Sequence, residues 1–135
     1  MNRIFVRATT ALAFVLVAGC SDDPTGPGAE LLTSPATVIQ LVGGEDSQRF
    51  YRINVPSGAA RLTVTTTGIG NVDLYVQKDQ RPMVTSPADC VSANIQASES
   101  CIIENPTAGT WFMLLYGGDA YNNVTLRVTV TMPAT

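Results

Sequence analysis

The 135-residue sequence contains no histidine. That absence removes the commonest general base near neutral pH and the commonest transition-metal ligand together. Charged residues make up only 14% of the chain, and no cluster of Lys or Arg is placed to neutralise phosphates. Nucleic acid is therefore not an expected partner. There is no Gly-x-Ser-x-Gly elbow and no phosphate-cradling glycine loop, so an enzyme is not expected either. Carboxylates such as Glu99 and Glu104 have the chemistry for acid–base work, but at strand ends they read as solvated charges. No apolar run reaches the roughly 20 residues that cross a bilayer as a helix. Cysteine is scarce and odd in number, three, so one should have a different task from the other two. With 45% hydrophobic residues, the chain suffices for one core in one domain.

What is present begins with an address. "MNRIFVRATTALAFVLVAGC" opens with two arginines, Arg3 and Arg7, continues through an apolar stretch from about Ala11 to Ala18, and ends in small residues before Cys20. That is the layout of a secretory signal, assigned to residues 1–19. "LVAGC" resembles the lipobox of bacterial lipoproteins. The resemblance implies cleavage before Cys20, a diacylglycerol on its sulfur, and acyl chains such as palmitate that anchor the protein to a membrane. The residue after the cysteine is Ser21 rather than aspartate, which favours the outer membrane or cell surface over the inner membrane. Loss of the signal leaves six of eight cations against all eleven acids, a formal net charge of −5. Such a charge suits a solvated cell-envelope domain and argues against a polybasic membrane contact.

Residues 20–36 are rich in Asp, Pro, Gly, Thr and Ser, with one apolar pair, Leu31 and Leu32, and read as a flexible tether. From 37 to 135 the apolar period is mostly two. "QRFYRINV" puts Tyr51, Ile53 and Val55 on one face, and "RLTVTTT" puts Leu62 and Val64 opposite threonines. "VDLYVQ" alternates Val72, Leu74 and Val76 with Asp73, Tyr75 and Gln77. "TWFMLLY" is apolar on both faces, as in a central strand covered twice. "NVTLRVTVT" aligns Val124, Leu126, Val128 and Val130. "GIGN" and "GGDAYN" read as breaks between strands. The expectation is all-β: a sandwich of about seven or eight antiparallel strands, because burying two faces needs two layers.

Cys90 and Cys101 fall within one loop-and-strand region behind a secretion signal, and a disulfide is the natural reading. Two reduced thiols or a metal pair are the alternatives, although nothing else in the sequence would complete a tetrahedral zinc site.

The body resembles a bacterial pre-peptidase C-terminal domain, or PPC domain. "FYRINVPSG" at Phe50–Gly58 matches an aromatic strand ending in a Val-Pro-x-Gly turn, and Leu62–Val64 a Leu-x-Val strand. "GNVDLYV" at Gly70–Val76 matches a Gly-Asp-x-Asp-Leu-Tyr-Val segment, with Asn71 in place of the first aspartate. Cys90, Glu99 and Cys101 match a Cys…Glu-x-Cys loop. Pro106, Gly109, Thr110 and Trp111 match the closing strand, and "NVTLRVTV" the last one. The resemblance runs from about Thr37 to Thr131 and implies a jelly-roll-like β-sandwich. Family members usually follow a secreted protease, for which this chain has no room. Related domains bind collagen, and some bind calcium.

The resemblance thus implies a non-catalytic binding module of the cell envelope, its ligand an extracellular protein or polysaccharide. The alternative is an accessory that assists secretion or maturation of a partner protease. Two candidate sites follow. Asn71 and Asp73 flank a glycine turn and offer oxygens to calcium, which needs six to eight, with Glu45, Asp46, Asp89 and Glu99 in other loops. Equally, Asp73 has the geometry to cap turn amides. Among the aromatics, Trp111 and its neighbours suit the core. Tyr116 and Tyr121, flanking "GGDA", are the exposed candidates for ligand binding.

Overall fold

The computed structural model describes residues 28–135. The expected signal segment, Cys20 and the first part of the expected tether lie outside the described residues. Seven strands follow in order: β1 (Ala29–Leu32), β2 (Ala36–Gly43), β3 (Gln48–Val55), β4 (Arg61–Lys78), β5 (Cys90–Ser92), β6 (Glu99–Glu104) and β7 (Gly109–Thr131). No helix occurs among the described residues.

Two long strands organise everything else. The first half of β4 pairs with β6 (Val64 opposite Cys101), and its second half pairs with β5 (Val76 opposite Cys90). The first half of β7 pairs with β3 (Ile53 opposite Trp111), and its second half with β2 (Val38 opposite Leu126). β4 and β7 run antiparallel to each other along their whole length. One layer is therefore β2, β7, β4 and β6; the other is β1, β3, β7, β4 and β5. Both layers share the same two strands, each bent midway.

The alternation read from the sequence fills the space between the layers. Tyr51, Ile53 and Val55 are buried from β3, Leu62, Val64, Val72, Leu74 and Val76 from β4, and Val124, Leu126 and Val128 from β7. Each such aliphatic side chain contributes on the order of 1.5–3 kcal/mol by leaving water. Trp111 to Leu115 are buried on both faces, as expected of a central strand. Phe112 and Leu114 point away from the core. Phe50, the β3 partner of Leu114, has Arg81 4.5 Å from its ring centroid, and Pro82 after β4 is buried.

Three expectations are corrected. "GIGN" and "GGDAYN" are not turns between strands but bends inside β4 and β7, with register shifts at Thr67/Ile69 and Gly70/Val72. Glycine is required at Gly70, whose φ is 97° and whose added Cβ would lie 2.2 Å from the Ala120 carbonyl oxygen. Within the expected tether, Ala29–Leu32 forms β1, with Leu32 buried. β1 pairs with β3 in parallel rather than antiparallel. The Ser34–Pro35 connection carries the chain from one layer to the other, so no hairpin joins β1 to a neighbour; Ser34 Oγ accepts the Val130 N–H at 2.8 Å on the far side.

Candidate functional site

The bend in β7 creates the site. The loop 44–47 docks on it through two backbone bonds of 2.9 Å, Asp46 N–H to Gly117 O and Gly117 N–H to Ser47 O. A Cβ at Gly117 would meet the Gly44 carbonyl oxygen at 2.1 Å, so this approach needs glycine. The docked loop brings the Asp46 carboxylate to Tyr116, whose hydroxyl donates to Asp46 Oδ1.

On the outer face of the same layer, Asp73 lies directly across from Tyr116. Asn71, two residues earlier on β4, shares that face. Both reach over the bare Cα of Gly118: a Cβ there would lie 2.6 Å from Asn71 Nδ2 and 3.3 Å from Asp73 Oδ2. The result is a shallow cradle floored by Gly118 and walled by Asn71, Asp73 and Tyr116. Tyr75 follows Asp73 on this face with only 9% exposure. Neither Asp73 nor the Tyr75 hydroxyl has a hydrogen-bond partner among the described residues, and Asn71 Oδ1 is buried without one.

Electrostatics follow from crowding. Burial holds the Asp73 carboxyl above the usual aspartate range, and the negative charge of Glu99 adds to this. Burial raises the Tyr75 phenol, with Asp73 second. Tyr116 is raised first by donating its proton to Asp46, then by burial and by the surrounding negative groups. The surface is rich in acceptors, and no cation figures among the causes of these shifts.

The structure brings Asn71, Asp73 and Tyr116 together and separates Tyr121 from them. Tyr121 is 2% exposed and belongs to the core, with its hydroxyl buried and unpartnered. Because β7 continues through "GGDAYN" as a strand, Tyr121 pairs with Gly43 and Gly70 and turns inward. Asn71 and Asp73 offer two oxygen-bearing side chains where calcium needs six to eight oxygens. Among the described residues no three of His, Cys, Asp or Glu cluster together.

Glu104 is exposed and pairs with Arg61 at 2.8 Å, but Glu99 is not the solvated charge expected of it. It is 3% exposed and accepts bonds from Ser92 Oγ, from Asn94 N–H at 2.8 Å and from Asn94 Nδ2 at 2.9 Å. The Glu-x-Cys pattern was the signal for this role: alternation points Glu99 inward together with Cys101. Cys90 and Cys101 form a disulfide, S–S 2.06 Å, which joins β5 in one layer to β6 in the other. Asp89 accepts the Lys78 N–H at 2.8 Å and lies outside the cradle. The sequence offered Asp46 only as one of several loop acids for calcium; its contact with Tyr116 was not legible, because it is made only by the docking of the 44–47 loop.

Elsewhere on this layer, two adjoining clefts of about 400 and 590 Å³ share Gln48, Phe50 and Arg81. Gln48 pairs with Tyr116 across β3 and β7, but neither cleft is lined by Asn71, Asp73 or Tyr116 themselves.

A two-layer β-sandwich with a surface cradle, closed at one edge by a disulfide, is the architecture that comparison with known proteins meets. The family model for the bacterial pre-peptidase C-terminal domain matches residues 48–117, and the chain belongs to that family. This domain is a non-catalytic one. A virulence metalloprotease of Vibrio anguillarum is 32% identical over 102 residues, which is 76% of this chain and 16% of that protein. The chain thus spans about a sixth of that relative. The solution structure of vEP C-ter 100 is 28% identical with a TM-score of 0.61, covering 75% of this chain and 99% of the other. The pre-peptidase C-terminal domain of a Bacillus anthracis collagenase shares the fold at 15% identity and a TM-score of 0.54, covering 76% of this chain and 94% of that domain.

Proposed function

We propose that this chain is a non-catalytic binding module, held at the cell envelope by lipid on Cys20, that engages an extracellular protein or polysaccharide through the face around Tyr116. The observation that carries the reading is the order of parts: a lipobox-like "LVAGC" and a short polar stretch lead into a sandwich of a non-catalytic family. Ser21 after the cysteine supports an outer-membrane or surface destination. Acyl chains of this kind, at about 0.8 kcal/mol per buried CH₂, hold a protein on a membrane durably.

Growth with a labelled fatty acid tests the anchor. The wild-type chain is expected to take up label and Cys20→Ala to take up none; label on both chains would refute lipidation at Cys20. Binding of matrix proteins or glycans, compared between wild type and Tyr116→Ala, tests the face. A calcium ion at Asn71 and Asp73 belongs to the same reading, and a rise in melting temperature with Ca²⁺ that Asp73→Asn removes would support it. A second reading is favoured by the metalloproteases among the relatives: an accessory that assists secretion or maturation of a partner protease. Deleting the protein would then lower the yield of mature protease in the medium.

A further inference from the structure

The cradle over Gly118 asks for a particular ligand chemistry. Among the described residues Asp73 presents a carboxylate with no hydrogen-bond donor, although burial makes an unpaired charge costly. Asn71 Oδ1 is buried with no donor, and a half-turn of its amide places that oxygen over Gly118, where Nδ2 now lies. Tyr75 is more than nine-tenths buried, with its unpartnered hydroxyl at the same face. Tyr116 has its hydroxyl proton committed to Asp46, which leaves its hydroxyl oxygen and the π-face of its partly buried ring. The one cation bonded to an acid nearby on β4, Lys78, turns to Asp79 at 3.0 Å, on the far side of Gln77. Acceptors and the Tyr116 ring thus face a surface open to solvent, and a ligand that satisfies them must bring N–H donors and positive charge together.

We infer that the cradle receives a basic side chain, arginine before lysine, from a protein partner. A guanidinium offers several N–H donors in one plane, so it bonds Asp73 and the Asn71 carbonyl while it lies against the Tyr116 ring. Glycine at position 118 lets that plane approach the backbone. The inference rests on the proposed binding role and adds the identity of the recognised group.

The test uses the full chain with two peptides of the same length, acetyl-Gly-Arg-Gly-Arg-Gly-amide and its citrulline counterpart, which keeps the shape and loses the charge. Binding is read from NMR shifts at millimolar peptide. The arginine peptide is expected to shift Asn71, Asp73, Tyr75 and Tyr116, and the citrulline peptide to bind roughly tenfold more weakly. Asp73→Asn should lose the same tenfold. Glu104→Gln, an exposed acid on the other layer, should lose nothing. Equal binding of both peptides overturns the inference, as does an equal loss in Glu104→Gln, which would reduce the effect to overall charge. Absence of shifts at the cradle overturns it too. A citrulline peptide that binds as well, and is lost in Tyr116→Ala, removes the basic side chain while leaving the binding face intact. Fatty-acid labelling at Cys20 is unaffected by any of these results.

Discussion

Asp73 stands where the fold works against its charge. Burial and Glu99 both hold its carboxyl above the usual aspartate range, while Tyr116 and Asp46 face it from β7 and the 44–47 loop and Tyr75 adjoins it on β4. A group whose folded pKa is raised contributes stability that is present below its unfolded pKa and is lost as pH rises through the folded value. At neutral pH ionised Asp73 therefore weakens the fold. Asp73→Asn is expected to raise the melting temperature at pH 7 by a few degrees, and the gain should vanish in acid, where both side chains are neutral. Thermal melts at the two pH values decide it, and a lower melting temperature for the variant at pH 7 contradicts it. A site residue that costs stability in the free protein is what a binding surface looks like before its ligand arrives. Tyr121 gives a contrasting case. Its buried hydroxyl lacks a partner, a condition that costs about 1–3 kcal/mol. Tyr121→Phe should be at least as stable as wild type by denaturant titration and should bind the arginine peptide unchanged. A clear loss of stability would reveal a partner for the hydroxyl.

At the scale of elements, the bends in β4 and β7 matter more than any turn. Gly70 combines a positive φ with a backbone contact that forbids a side chain, whereas Gly58, φ 81°, has open space around it. Gly58→Ala should cost only backbone strain, roughly 1–2 kcal/mol, and Gly70→Ala clearly more, since neither strand can move without breaking its ladder. Urea titrations of the pair separate strain from clash; equal losses would show that the bend is not rigid. The edge disulfide acts on the loop between β5 and β6, and replacing Cys90 and Cys101 by alanine should cost about 2–3 kcal/mol. These elements also mark how far the sequence could be read. The apolar alternation of β3, β4 and β7 was legible because period two is local, and so was the shared face of Asn71 and Asp73. The bends were not, since Gly68 to Gly70 and Gly117 to Gly118 carry the composition of hairpin turns. Only pairing across the sheet, Gly70 with Tyr121, distinguishes a bent strand from a turn. The same long-range pairing turns Tyr121 inward and carries Asp46 to Tyr116. β1 was hidden because Leu31 and Leu32 are a short apolar pair in polar sequence, ordered only by the existing edge of β3.

Across the whole molecule, the sharing of β4 and β7 by both layers has a thermodynamic consequence. In a sandwich built from separate strands, one layer is able to loosen while the other holds. Here, releasing either layer breaks half of each shared strand, and the core side chains from both halves form one cluster. The described domain should therefore unfold in a single transition. Leu74 lies in the half of β4 that pairs with β5, and Leu126 in the half of β7 that pairs with β2; both are fully buried. Leu74→Ala and Leu126→Ala should each lower stability by about 2–5 kcal/mol. The informative comparison is between probes. Trp111, the only tryptophan, sits in the β3-containing layer and reports locally, whereas far-ultraviolet circular dichroism reports both layers. Leu126→Ala, made in the opposite layer, should displace the Trp111 fluorescence transition as far as it displaces the dichroism. A fluorescence midpoint that stays at its wild-type value while dichroism shifts would mean that the layers part independently. The shared strands would then be hinges rather than the tie that makes the sandwich one cooperative unit.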